Sequence, residues 1–328
     1  MLPFKLIYAD GYDLNLGNHV FPAVKFKLIR EQCLKEGLAA ADDFLEPQPA
    51  PDEDILRVHT QEWVRKLKTG KLSPWEIMRL EVPYSPQLVR AFWLSAGGST
   101  LAAQRALTDG CAFNLGGGFH HAYPDHGEGF CAIHDVAVAI RRLQAEGALR
   151  PALLDSGQAI STALVVDLDV HHGNGTAAIF AGDATVFTLS MHQENNYPYP
   201  KPPSDIDVGL ADFTSDETYL RLLRDALDQA FRRFEKEAGK RGTPKPGFIF
   251  YLAGADPFLE DQLGGLALTK EGLAERDRIV IDAARSRGIP IAVTFAGGYA
   301  RRVADTVDIH LNTIRSARKI YATTDAHR

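Results

Sequence analysis

Cysteine is scarce in this 328-residue sequence, with Cys33, Cys111 and Cys131 its only three. They are too few and too scattered for a disulfide framework or a Cys-x-x-Cys zinc site, which points to a reducing compartment. A long apolar run is missing too. No stretch reaches the roughly 18 residues that a membrane helix needs. The opening MLPFKLIYAD has no charged region ahead of an apolar core, so it does not read as a leader, and a cytoplasmic protein is expected. Charge of one sign is also lacking. The 36 basic and 42 acidic residues are interspersed, and a formal charge of -6 leaves no basic stripe for a polyanion. Direct binding to nucleic acid is therefore not expected. Repeats, low-complexity tracts and linkers are absent as well, so residues 1–328 read as a single domain.

What is present is an alternation of two periods. Phe4 to Tyr8 reads as a first strand, Pro22 to Leu38 as a helix, and Asp54 to Leu67 as another after a proline-rich break. Ser73-Pro74-Trp75-Glu76 is a capping box with proline at the first helical position. Ser85-Pro86 opens a long helix ending near Gly110, and Gly97-Gly98 within it imply a close backbone neighbour. From Cys111 onward, apolar strands are expected at 111–115, 163–170, 186–190, 248–253 and 290–295. Helices are expected between them at 132–146, 176–181, 217–240 and 269–287, with a last one at 302–321. That order describes an α/β fold of three layers, a mostly parallel central sheet flanked by helices.

The stretch Ala163 to Thr176, ALVVDLDVHHGNGT, organises the rest. Strand alternation would put Asp167, Asp169 and His171 on one face, opposite Val166, Leu168 and Val170. A carboxylate and an imidazole two residues apart at the mouth of a sheet form half of a metal site. Polar clusters follow the other core strands too: GGGFHH, SMH, GAD and AGGY. Ligands in open α/β sheets sit outside the carboxyl ends of strands, so five loops converge on one crevice.

Asp256 closes an apolar run, FIFYLAGAD, and needs a partner for its charge. With Asp169 and His171 it makes a set of two carboxylates and one imidazole, which leaves room for water and substrate. Zinc fits that catalytic pattern, and its oxygen content also suits iron(II), cobalt or manganese. His120 and His121 follow a triple-glycine turn and place two imidazoles beside that centre, where one can take a proton from water and return it to a leaving amine. Asp167 and Asn174 are available to pair with them. An aspartate favours an imidazolium and an asparagine does not, so the two histidines should titrate differently. Tyr299, after Gly297-Gly298, supplies a hydroxyl for an oxyanion. These parts describe metal-assisted hydrolysis of an amide or similar acyl bond.

GGGFHHA, GFC, DLDVHHGNGT, AGAD and GGY, in this order, resemble the zinc-dependent histone deacetylase family of the arginase-like α/β fold. The likeness runs from about Phe4 to about Ile314. HVFP near the start and FLEDQLGGLALT after Asp256 look most like its class IV branch and bacterial relatives. The resemblance implies that Asp169, His171 and Asp256 ligate the metal. It also implies that His120 and His121 form a dyad with His121 the general base, and that Tyr299 polarises the carbonyl. Phe130 would wall an acyl-lysine tunnel, the Gly129 carbonyl would accept a substrate amide hydrogen, and Tyr199, or Tyr197, would face Phe130. A structural potassium site from Asp167, Asp169, His171 and Ser190 is implied as well. Asn174 stands where class I members carry aspartate. Leu263 falls where polyamine-selective relatives carry glutamate, which weakens an acetylpolyamine reading.

The function expected is removal of acetyl or longer fatty acyl groups from ε-N-acyl-lysine or a related acyl-amine. An arginase-type centre with two manganese ions would need an aspartate where Gly173 stands. A non-catalytic acyl-lysine-binding protein would tolerate loss of a ligand, a dyad histidine or the tyrosine, and all are present. His126, His134 and His192 read as rim or packing residues, Cys131 as a small buried side chain, and His19, His59, His310 and His327 take no role.

Overall fold

The computed structural model of the protein describes residues 1–149, 152–153, 159–160, 163–237 and 246–322. Ten strands occur among them: β1 (Lys5–Ile7), β2 (Phe44–Leu45), β3 (Cys111–Asn114), β4 (Ala152–Leu153), β5 (Ala159–Ile160), β6 (Ala163–Asp167), β7 (Val186–Gln193), β8 (Ile206–Leu210), β9 (Phe248–Leu252) and β10 (Ile291–Thr294). Eight form one sheet in the order β2-β1-β3-β10-β9-β6-β7-β8, every pairing parallel. β4 and β5 pair antiparallel apart from it.

The central strands are buried on both faces and alternate between two cores. Phe248, Phe250 and Leu252 of β9 pack into one core, with Ala163 and Val165 of β6. Ile249 and Tyr251, with Leu164 and Val166, pack into the other. Period-2 alternation in an all-apolar strand does this when helices cover both faces. Helices α5 (Pro86–Asp109) and α6 (Asp135–Ala145) cover the first core with Ala102, Ala106, Val136 and Ile140. Helices α8 (Asp216–Glu237), α9 (Lys270–Ser286) and α10 (Val303–Ala322) cover the second. The molecule is thus a single three-layer α/β domain. Among the described residues no helix is long and apolar enough to cross a membrane.

Local chemistry sets the helix limits. Ser73 and Glu76 cap α4 (Pro74–Leu80) reciprocally, and Ser85 accepts from Leu88 N–H at the start of α5. Gly97 of α5 passes so close to another segment that a Cβ would lie 1.8 Å from the Gln48 carbonyl, the close neighbour its sequence implied. The helix expected from Asp54 to Leu67 is two, α2 (Asp52–Ile55) and α3 (Gln61–Thr69). Thr60 separates them by capping the second through its hydroxyl. The remaining two are α1 (Lys25–Lys35) and α7 (Asn174–Ile179). The expected continuation from Glu237 to Lys240 lies partly outside the described residues.

Candidate metal centre and histidine pair

The five adjacent strands β3, β10, β9, β6 and β7 deliver their following loops to one crevice. Strand β6 ends at Asp167, so Leu168 to Val170 leave the sheet instead of extending it as expected. The chain there is pinned by hydrogen bonds: Asp169 N–H to Asp167 Oδ1 at 3.2 Å, Val170 N–H to Asp256 Oδ1 at 2.9 Å, and His171 N–H to Asp169 Oδ1 at 3.0 Å. Asp169, His171 and Asp256 are all buried, with one donor atom from each lying within 4.8 Å of the others. His171 Nδ1 is 3.1 Å from Asp169 Oδ1 and 3.4 Å from Asp256 Oδ2.

Asp256 Oδ2 is sealed from solvent and has no hydrogen-bond partner. Burial, and then the charge of Asp169, push its carboxyl well above the usual range. Two buried carboxylates this close need a cation between them, so the donor set fits a metal ion. Buried Lys25 spends its ammonium on the Ala296 carbonyl, at 2.7 Å, and its charge reaches Asp256 as a longer-range attraction. Gly297 completes the cradle: its N–H donates to Asp169 Oδ2 at 2.7 Å, and a Cβ there would sit 1.9 Å from Asp256 Oδ2.

The histidines stand beside this cluster with their ring centroids 4.0 Å apart. His120 Nδ1 is 2.7 Å from Asp167 Oδ2, and His121 Nδ1 is 2.7 Å from Asn174 Oδ1. Burial alone would lower His120, but Asp167 and Asp169 outweigh it and hold the ring up at about 9. His121 falls well below the ordinary histidine value through burial, then through the nearby His120 and His171. Their surroundings thus push the two rings in opposite directions. Gly175 lets α7 start against the His120 and His121 backbone, since a Cβ there would meet the His120 carbonyl at 2.6 Å.

A cavity of about 220 Å³ opens onto His121 and His171, walled by Phe130, Tyr197, Leu263 and Tyr299, with Glu81 and Asn196 also lining it. A shallower hollow of about 730 Å³ lies on α9 and α10, lined by charged residues such as Glu271 and Arg278, and no strand end reaches it. Phe130 and Tyr299 are in edge contact at 6.0 Å between centroids. Phe130 has φ +69°, a left-handed conformation costing a non-glycine residue about 1–2 kcal/mol, and its N–H donates to the Leu80 carbonyl at 3.0 Å. The Gly129 carbonyl accepts from the Cys131 thiol at 3.3 Å and keeps a second lone pair.

Tyr199 is a correction. It is 70% exposed, with Lys201 Nζ 4.2 Å from its ring, and Tyr197 lines the cavity instead. The three rim or packing histidines are resolved individually. His126 stacks on Tyr123, and His134 caps α6 by accepting from Ala137 N–H. His192 is buried in a second group with His172 and Asp207, in which His172 Nε2 pairs with Asp207 Oδ1 at 3.1 Å. Two residues without an expected role touch the site. His19 meets Phe130 edge-on at 5.0 Å, and Glu128 accepts from Asn174 Nδ2 at 2.5 Å. Glu128, between two glycines, carries no signal in sequence that separates it from a solvated loop.

A carboxylate-imidazole cluster and a paired-histidine wall thus stand together at the strand ends of a three-layer parallel α/β domain. The histone deacetylase domain profile matches residues 19–314, and the chain belongs to that family. It is 37% identical over 320 residues to an uncharacterized protein of Picosynechococcus sp., covering 97% of this chain and 99% of that one. It is 30% identical to Histone deacetylase 2 of Arabidopsis thaliana, over 93% and 78% of the two chains. The crystal structure of the HDA15 HD domain superposes with a TM-score of 0.74 at 20% identity, over 98% of this chain and 91% of that one, and shows the same fold.

Proposed function

We propose that the chain, acting as one catalytic domain, hydrolyses ε-N-acyl-lysine or a closely related acyl-amine to the amine and a carboxylate. The unequal pairing of the two histidines, His120 with a carboxylate and His121 with an amide, carries this reading. It sets a standing imidazolium beside a neutral imidazole, which is an acid and a base next to one reaction centre. Asp169, His171 and Asp256 would hold zinc, or iron(II) or cobalt in its place, and such an ion polarises the acyl carbonyl and acidifies water when bound.

The chain's own groups do the rest. His121 takes the proton from the attacking water and delivers it to the departing amine nitrogen, as the C–N bond breaks and the new C–O bond remains in the carboxylate. His120, kept protonated by Asp167, stabilises negative charge on the tetrahedral carbon's oxygens. The Tyr299 hydroxyl donates to the former carbonyl oxygen. Phe130, Tyr197 and Leu263 hold the methylene stem, and the free lone pair of the Gly129 carbonyl accepts the substrate amide hydrogen. Leu263 gives the wall an apolar side chain, which favours lysine over a cationic polyamine. A cavity of about 220 Å³ is below the roughly 300–1,000 Å³ of ordinary small-molecule pockets, which supports acetyl or another short acyl group over the long chains of the class IV likeness. Asp167 and Ser190 stand in register on β6 and β7, which supports a structural potassium ion shared with the backbone of Asp169 and His171.

The test is amine release from an acetyl-lysine peptide by zinc-loaded wild type, Tyr299→Phe and His121→Ala. Losses of at least about 100-fold with metal content unchanged are expected, and full activity in both variants would refute the reading.

A further inference from the structure

The hydrogen-bond chain behind His121 does not stop at Asn174. Asn174 Nδ2 donates to Glu128 Oε1 at 2.5 Å, and Glu128 Oε2 is gripped by Arg79, Nε at 2.8 Å and Nη2 at 2.7 Å. Glu128 is only 8% exposed, while the Arg79 side chain is 44% exposed, so the chain leads from solvent to the cavity. Backbone bonds between Glu128 and Cys131, at 3.0 and 2.8 Å, fix the carboxylate's origin. Burial opposes its charge, but His126, Tyr197 and Arg79 around it prevail and hold it down at about 2.

An ionised carboxylate can only accept hydrogen bonds, so Glu128 must receive the NH₂ end of Asn174. The amide oxygen is then left facing His121 Nδ1 at 2.7 Å, and only a protonated Nδ1 can use it. In the neutral ring the remaining lone pair therefore lies on Nε2, the nitrogen pointing away from this chain. The Tyr123 hydroxyl also neighbours Asn174, but a hydroxyl donates or accepts and so does not choose the amide's orientation.

We propose that Glu128, held by Arg79, is a positioning residue that sets the His121 ring tautomer through the Asn174 amide. The kinetic consequence rests on His121 being the base in the function proposed above; the tautomer itself does not.

Glu128→Gln keeps the shape and reverses the polarity. Arg79 would take the new amide's oxygen, its NH₂ would demand the Asn174 oxygen, and Asn174 would turn its own NH₂ toward His121. The ring proton then moves to Nε2, where it blocks proton abstraction. Asn174→Asp added to Glu128→Gln restores the pattern, because the introduced carboxylate accepts from both the introduced amide and His121 Nδ1–H. Asn174→Asp alone sets two carboxylates face to face.

The experiment combines ¹⁵N long-range correlation spectra of the histidines in the zinc-loaded protein with steady-state kinetics on acetyl-lysine peptide. Expected are an Nδ1–H tautomer of His121 in wild type, Nε2–H in Glu128→Gln with kcat down about 10- to 100-fold and KM within about twofold, and recovery of both in the double variant. An unchanged tautomer in Glu128→Gln, or a double variant no faster than Glu128→Gln, would overturn the proposal. If wild type releases no amine, the functional reading fails, and the spectra still decide the relay.

Discussion

His120 Nδ1 and Asp167 Oδ2 lie 2.7 Å apart with both side chains sealed from solvent. The contact makes His120 a cation at neutral pH, because the carboxylates of Asp167 and Asp169 outweigh burial. Asp167→Asn keeps the volume and removes the charge. His120 should then titrate well below its present value of about 9, and kcat should fall about 10- to 100-fold. An NMR titration of labelled histidine alongside kinetics checks both.

Asp256→Asn should lose the metal while stabilising the metal-free protein. It removes one of two buried like charges, whose oxygen Oδ2 has no hydrogen-bond partner. Metal analysis should give one ion per chain in wild type and none in the variant, and thermal melts without metal should show the variant melting higher.

Gly297→Ala should damage the same centre by shape alone. Its methyl would fall 1.9 Å from Asp256 Oδ2 and 2.6 Å from Asp169 Oδ2, so the carboxylates must move apart. Metal affinity measured by competition with a chelator should drop by at least about 10-fold.

The fold should weaken in mild acid through His59. Its Nε2 accepts from His134 N–H at 3.0 Å and Nδ1 faces the Tyr123 carbonyl at 3.0 Å, a pattern only the neutral ring satisfies. Burial lowers its pKa from 6.5 to about 4. The unfolded chain therefore binds the proton first. This group's contribution is complete above pH 6.5 and is lost as pH falls toward 4, at up to about 1.4 kcal/mol per pH unit. Urea midpoints between these values should fall with pH, and less steeply in His59→Gln.

Tyr197→Ala should lower kcat/KM on acetyl-lysine peptide at least about 10-fold, and Tyr199→Ala should leave it within about twofold. Of these two, Tyr197 lines the cavity, whereas Tyr199 stands in solvent beside Lys201.

That pair shows where sequence stops being informative. In Tyr197-Pro198-Tyr199-Pro200 the two tyrosines have the same local surroundings, and only the approach of Gly129 and His121 distinguishes them. The meeting of Asp169, His171 and Asp256 was legible because charged residues closing apolar strands have few other uses, and the pairing of the two histidines because Asp167 and Asn174 flank the loop that follows β6. Strand β8 was not, since Ile206–Leu210 pairs on one edge only and carries Asp207 and Gly209 in an apolar frame too short to read. The β2 pairing, Phe44 with Leu6 and Leu45 with Ile7, is too short for any period to register. Glu128 reaches His121 through Asn174, side chains that the folded chain alone brings together.

Amine release from lysine peptides bearing acetyl, octanoyl or myristoyl groups, by protein reconstituted with zinc and potassium, tests the central claim most directly. The expected result is turnover that is fastest with acetyl, abolished by chelation and restored by zinc. Metal-replete protein that binds these peptides and releases no amine from any of them would contradict it.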